Sequence, residues 1–403
     1  MNVVIVNDYG FVNGGASKVA ILSAKALALQ GVAVHFFCAV GPVEKDLRES
    51  GVTVHCLNET PYHSSPPKRA LLSGLWDRRA KVELEALLRI LPTQDTVVHF
   101  HSNQYALSSS VLSPALKRFA TVYTCHEYGI ACPYASFYDH QLDQICHRTA
   151  LSMSCLTAHC NRKGYDKKLW TYARQSVQNR IVGLPRRLDE VVFVSDFSRK
   201  ILEPYLGAEV HRHTISNPVD AELGLKRKLT PESPFLFVGL LTPGKGPVLA
   251  AQAAKAAGLT IRFIGDGDER EAVQQANSEA VITGWLTPEE VKTEMLNARA
   301  VVLPAKWYET QGLVVQEAAA YGVPAIVSNV TAAQETIVDG ENGFIVEARS
   351  VEALSAAMKQ LAEDETACEM GNAAHAKFWA NPPTLANHLK QIIEVYEGAL
   401  RRG

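Results

Sequence analysis

The chain has 403 residues, enough for two domains of ordinary size, and 47% of them are hydrophobic, enough to fill two cores. The formal net charge of −2 points to no nucleic-acid partner. No apolar run reaches the roughly 18 residues a membrane span needs, so no spanning helix is expected.

The charge is unevenly spread. Residues 1–215 hold 24 Lys+Arg against 18 Asp+Glu, and the remainder holds 16 against 24. A basic first half suits an anionic acceptor or lipid head groups, although an uneven, solvated surface accounts for it equally well. The first strand starts at Asn2 without a basic leader, so a cytoplasmic protein is expected, peripheral at the inner face of a membrane if the basic half meets lipid. In that compartment the eight cysteines should be reduced, metal-bound or buried rather than bridged.

In chain order, Val3–Val6 reads as a buried strand, residues 7–15 as a loop ending in Gly14-Gly15, and Ala16–Gln30 as a helix closed by Gly31. Gly14 and Gly15 allow close backbone approach by a ligand, and the helix start offers N–H donors to a phosphate. The loop is neither a G-x-G-x-x-G fingerprint nor a Walker A. Ala33–Cys38 and Val52–Cys56 are further strands, and helices between strands argue for a doubly wound parallel α/β sheet. Residues 61–90 interleave Leu71, Leu72, Leu75 and Trp76 with Lys and Arg, which fits an ordinary amphipathic helix or a segment lying on a membrane.

Strands ending in His99-Phe100-His101 and in Cys125-His126-Glu127 put polar clusters at carboxyl ends, where such sheets bind ligands. Cys132, Cys146, Cys155 and Cys160 follow; they lack a C-x2-C knuckle, so either reduced thiols packed in an insert or a structural zinc is open. Residues 161–187 are rich in Lys and Arg around Trp170 and Tyr172. After a crossover near Asn217-Pro218-Val219-Asp220, the strand–loop–helix pattern starts again at Phe235, with Lys245 in the loop. Gly265-Asp266-Gly267-Asp268 is literally a D-x-D, a weak metal signal, and equally a polar turn after a strand. Ala300–Leu303 reads as a strand and Gly312–Ala320 as a helix; Glu309 lies on the loop between them and Glu317 in the helix.

The stretch Pro304–Pro324, with Glu309 and Glu317 in an E-x7-E setting, resembles the donor-side signature of retaining glycosyltransferases of the GT-B fold, family four. Segments VYTCHEYGIACP, NPVD and the loop with Lys245 are similar to further motifs of that family, as is the tail Glu335…Asp339-Gly340…Gly343. Leu240 stands where the family has Arg, Glu127 where it usually has Asp, and Thr331-Ala332-Ala333 where it has Gly-Gly. The resemblance implies two facing Rossmann-like domains with a central cleft: an acceptor domain at 1–215 with a Cys-bearing insert at about 130–187, a nucleotide-sugar domain at 216–380, and a last helix at 381–403 crossing back to the first.

It further implies a UDP- or GDP-sugar donor, a saccharide or lipid-linked acceptor, no required cofactor and no catalytic metal. His126 and Glu309 would be catalytic. Gly14, Gly15, Lys245, Asp266, Gly312, Leu313 and Glu317 would hold the donor. The alternatives are a non-catalytic partner that binds nucleotide sugar and a nucleotide-sugar epimerase of the same fold.

Overall fold

A computed structural model describes residues 1–65, 67–116 and 118–402. The chain divides into two compact units, one made of residues 1–218 together with the helix Leu385–Arg402, the other of Val219–Thr384.

The first unit is built on strands β1 (Asn2–Tyr9), β2 (Ala33–Val40), β3 (Thr53–Cys56), β4 (Thr96–Phe100) and β5 (Ala120–Cys125). A small antiparallel hairpin, β6 (Tyr138–Asp139) and β7 (Gln144–Ile145), sits in the Cys-bearing insert, before β8 (Glu190–Phe193) and β9 (His211–Thr214). The main sheet runs β3-β2-β1-β4-β5-β8-β9, and every pair in it is parallel. Parallel strands covered on both faces read as near-continuous apolar runs; β1 is buried at seven of its eight positions. It extends through Asn7 and Asp8, residues whose polarity suggests a loop, because Asp8 finds five hydrogen-bond donors inside the fold.

The core on one face of this sheet joins Val3, Ile5 and Phe36 to the helix Gly15–Leu29 and to Leu389, Ile392, Val395, Tyr396 and Ala399 of the helix Leu385–Arg402. Residues 61–90 form two helices, Pro67–Leu75 and Arg78–Arg89, not one. Asp77 caps the second, accepting from Ala80 N–H at 2.9 Å.

The second unit carries β10 (Phe235–Val238), β11 (Ile261–Ile264), β12 (Val281–Gly284), β13 (Ala300–Leu303), β14 (Ala325–Ser328) and β15 (Gly343–Val346). Their order is β12-β11-β10-β13-β14-β15, again wholly parallel. The helix Leu313–Ala320 is short because its end is fixed by chain chemistry. Gly322, at φ 74°, lets its N–H reach Ala319 O at 3.0 Å while Val323 N–H reaches Ala318 O at 2.9 Å, a Schellman stop, and Pro324 follows.

In each sheet the strand order reverses beside the first strand of the unit. The reversals fall between β1 and β4 and between β10 and β13. Connections leave in opposite directions there, which opens a crevice at the carboxyl ends of the strands.

Candidate functional site

In the second unit the crevice position is occupied by the loops after β10 and β13. The turn Pro243–Lys245 brings the Lys245 ammonium to 2.7 Å from Glu309 Oε1. The Trp307 indole N–H donates to the same carboxylate oxygen. Both partners are largely shielded, with side chains 25% and 14% exposed, so the pair is screened less than a surface ion pair. Glu309 is held from its backbone as well, its carbonyl accepting from Ala332 N–H at 3.0 Å. Lys306 N–H donates to Gly244 O at 2.8 Å and ties the two loops together. Gly244 lies flat against Trp307: a Cβ there would fall 2.1 Å from the indole.

Gly312 caps the helix Leu313–Ala320 in the left-handed conformation at φ 75°, with no side-chain cap and no acidic residue in the first turn. The helix Gly15–Leu29, entered through Gly14 at φ 106°, has the same features. The helix Pro247–Ala257, entered through Gly246 at φ 71°, also has neither a side-chain cap nor an acidic first turn, whereas Asp77, Ser152, Ser195, Thr287 and Ser350 cap their helices with side chains. Uncapped N–H groups without a nearby carboxylate are suited to receive an anion. Glu317 lies half-buried in the helix Leu313–Ala320.

Asp266 is committed to its own turn. It accepts from Gly267 N–H at 2.8 Å and stands 3.4 Å from Arg270, while its carbonyl accepts from Leu241 N–H. Gly265 and Gly267 are required there because a side chain would strike the carbonyls of Gly239 and Leu241. Leu240 is 51% exposed.

In the first unit, Asp8 is the residue that sequence reasoning missed. Fully buried, it accepts from Ser102 Oγ at 2.6 Å and from the N–H groups of Gln104, Tyr105, Ala106 and Leu107 at 2.8, 3.1, 2.8 and 2.7 Å. That nest shapes the loop after β4. Tyr105 in turn donates to Glu127 Oε2 at 2.8 Å, and burial pushes the Glu127 carboxyl up. A charged residue inside an apolar strand was the available signal.

His126 follows β5 and is partly buried, its Nε2 3.0 Å from Nδ1 of His101 and the two rings stacked. His99, on the same face of β4, bonds the Tyr396 hydroxyl and Thr124 Oγ1, each at 2.7 Å. Burial, and then the neighbouring imidazoles, hold His99 and His101 well below the usual range; burial and then His388 push His126 down to about 3.

These folded-state values lie below the unfolded value of about 6.5, so on acidification the unfolded chain takes up protons first. Stability should therefore hold above that pH and fall below it, by about 1.4 kcal/mol per pH unit for each such imidazole. Urea midpoints at pH 7.5 and 5.5 check this; equal midpoints would refute it.

Among the described residues no group of three or more His, Cys, Asp or Glu side chains is set to hold a metal ion. The thiols of Cys132, Cys146, Cys155 and Cys160 are all free, buried Lys168 places its ammonium 3.3 Å from Cys155 Sγ, and Arg148 lies 3.5 Å from Cys146 Sγ. No helix among the described residues is long and apolar enough to cross a membrane.

Comparison with known proteins adds to this geometry. The family model of Glycosyltransferase Family 4 matches residues 13–223, and that of Glycosyl transferases group 1 matches residues 226–377. Glycogen synthase of Mycobacterium tuberculosis is 31% identical over 169 residues, 38% of this chain and 41% of that protein. A GDP-mannose-dependent alpha-mannosyltransferase of Corynebacterium glutamicum is 32% identical over 139 residues, 34% of this chain and 33% of that protein. The chain thus spans well under half the length of these curated relatives.

Among solved structures, sucrose-phosphate synthase from Thermosynechococcus elongatus aligns over 100% of both chains with a TM-score of 0.73 at 16% identity. Anabaena HepE in complex with UDP and glucose aligns over 99% of this chain and 100% of its own, with a TM-score of 0.64 at 16% identity. These likenesses show the fold, GT-B with two Rossmann-like domains. With one family model covering more than half of its residues and a second covering most of the rest, the chain belongs to Glycosyltransferase Family 4.

Proposed function

We propose that this chain is a retaining glycosyltransferase that moves a sugar from a UDP- or GDP-sugar to a saccharide or lipid-linked acceptor. The observation that carries the reading is the shielded Lys245–Glu309 pair beside the uncapped helix start at Gly312–Leu313. As the bond from the anomeric carbon to the diphosphate breaks, negative charge grows on the leaving group. Lys245 and the N–H groups of the helix start are preorganised to meet it. Both close contacts of Glu309 fall on Oε1, which keeps acceptor capacity on Oε2 for sugar hydroxyls. Glu317 accepts from ribose hydroxyls, the Gly14–Gly15 loop adds N–H donors, and His126 contacts the sugar or the incoming nucleophile. Same-face attack by the acceptor keeps the anomeric configuration.

A place in cell-surface polysaccharide synthesis, in the cytoplasm and at the inner face of a membrane, fits the basic first half of the sequence. Exposed Leu240, where the resemblance expects Arg, favours a second reading: a partner that binds nucleotide sugar without consuming it.

The test is a thermal-shift screen of nucleotide diphosphates and nucleotide sugars. A ligand at about 100 times its Kd should stabilise by roughly 2.7 kcal/mol. Lys245→Ala and Glu317→Ala should lose the shift. NMR of the product with the stabilising donor then reads the anomeric configuration. An inverted product refutes retention, an epimerised nucleotide sugar indicates the epimerase, and a donor bound but never consumed selects the second reading.

A further inference from the structure

Two cysteines outside the insert lie side by side. Cys38 of β2 and Cys56, the last residue of β3, are direct partners in the parallel register. Their side chains leave the sheet on the same face: Val34, Phe36 and Cys38 belong to the core there, and Val54 and Cys56 pack against it. Neighbouring strands stand about 4.8 Å apart, inside the roughly 4.4–6.8 Å between Cα atoms that a disulfide spans. Both thiols are free.

The two sulfurs are placed differently. Cys38 is fully buried, whereas Cys56 is half-buried on an edge strand that pairs with β2 alone. As a thiol, Cys56 donates to Asn58 Oδ1 at 3.4 Å. A hydrogen bond from the Cys38 thiol holds Cys56 well below its usual range, at about 6; partial burial opposes this, and Asn58 N–H and the Arg48 guanidinium add to it. The same bond, and then burial, push Cys38 far up. The outer sulfur therefore carries the negative charge and the inner one keeps the proton. That order, a thiolate within reach of solvent and a thiol behind it, is the one disulfide exchange uses. Glycines flank the pair: a Cβ on Gly10 would fall 3.0 Å from Cys38 Sγ, and one on Gly41 3.6 Å from Cys56 Sγ. Gly10 opens the loop that runs from β1 to Gly14 and Gly15, and its carbonyl accepts from Glu44 N–H at 2.9 Å.

We propose that Cys38 and Cys56 are a reversible redox pair, in which Cys56 attacks a low-molecular-weight disulfide and Cys38 resolves the product. In the first step the Cys56 thiolate displaces one half of the small disulfide as a thiolate and keeps the other half as a mixed disulfide. Cys56 is then uncharged, and the bond that raised Cys38 is gone. In the second step Cys38 loses its proton and attacks Cys56 Sγ, and the other half leaves as a thiolate. The pair gives up two electrons, the small disulfide takes them, and the Cys38 proton goes to a released thiolate. The new bond changes what packs against Gly10, so the modification sits at the foot of the Gly14–Gly15 loop.

The experiment mixes the reduced full chain with glutathione disulfide at pH 7, blocks the remaining thiols with iodoacetamide and maps the peptides by mass spectrometry. The expected result is a Cys38–Cys56 disulfide that dithiothreitol reverses. In Cys38→Ser, glutathione should instead accumulate on Cys56; in Cys56→Ser, Cys38 should stay unmodified. In the reduced wild type, the rate at which iodoacetamide labels Cys56 should change less than about twofold between pH 7 and 8.5, where an ordinary thiol of pKa about 8.5 speeds up more than about tenfold. The wild-type measurements stand without the variants should Cys38→Ser fail to fold. Absence of the Cys38–Cys56 disulfide, or glutathione that stays on Cys56 in the wild type, overturns the redox pair. A labelling rate that climbs like that of an ordinary thiol overturns Cys56 as the attacking thiolate.

Discussion

Lys245→Ala should lower kcat/KM for the nucleotide-sugar donor by about two to three orders of magnitude, roughly 2.7–4 kcal/mol of transition-state stabilisation. The fall should show in both constants: KM rises because the ammonium also holds the diphosphate of the bound donor, and kcat falls because negative charge on the diphosphate grows as its bond to the sugar breaks. The ammonium is shielded and already fixed by Glu309, so it needs little reorganisation when that charge appears. Removing it also strips Glu309 of its partner, so the single variant mixes two effects. A double-mutant cycle with Glu309→Gln separates them. Lys245→Arg keeps the charge in a planar group and should recover only part of the loss. Steady-state kinetics with the donor found by thermal shift is the measurement. A kcat/KM within threefold of wild type would remove Lys245 from the chemistry.

The second large effect concerns stability. Asp8→Ala should cost roughly 3–5 kcal/mol, because it leaves four backbone N–H groups, three of them buried, and a buried serine hydroxyl without their acceptor. That is a large share of the total stability of an ordinary domain. Asp8→Asn is nearly the same shape, yet its amide NH2 must face either the N–H groups of Ala106 and Leu107 or those of Gln104 and Tyr105, so it should rescue only part of the loss. Urea denaturation followed by circular dichroism reads both, and a loss below 1 kcal/mol would sink the argument. Surviving Asp8→Ala protein should also have a looser loop after β4, and with it the Tyr105–Glu127 contact beside His126.

The strands and the helix after Glu309 were legible because buried parallel strands write themselves as apolar runs and helix ends carry Gly and Pro. What stayed hidden depends on residues distant in sequence. Nothing near Glu309 announces that Lys245 will lie 2.7 Å away, and Trp307, two residues before it, carries no mark of its bond to the carboxylate. Asp8 looked like the start of a loop, since a carboxylate in a strand is tolerable only when its donors arrive from residues 102–107. His99 and His101 could be singled out, but not sorted into one ring tied at both nitrogens and one tied at a single nitrogen. Lys168 belonged to a basic run around Trp170 and Tyr172 that suits an anionic acceptor, yet its side chain is buried against Cys155.

The helix Leu385–Arg402 has a consequence for how the protein is made. Its Leu389, Ile392, Val395 and Tyr396 fill the core of the unit whose other residues precede position 219, and its Arg402 pairs with buried Glu190. During synthesis the second unit has all of its residues before this helix exists, whereas the first must wait with an open apolar face while some 166 residues of the other unit are added. At about 5–20 residues per second that wait lasts on the order of ten seconds or more. Ribosome-bound chains halted before residue 385 should therefore expose a chaperone-binding surface that the completed protein hides.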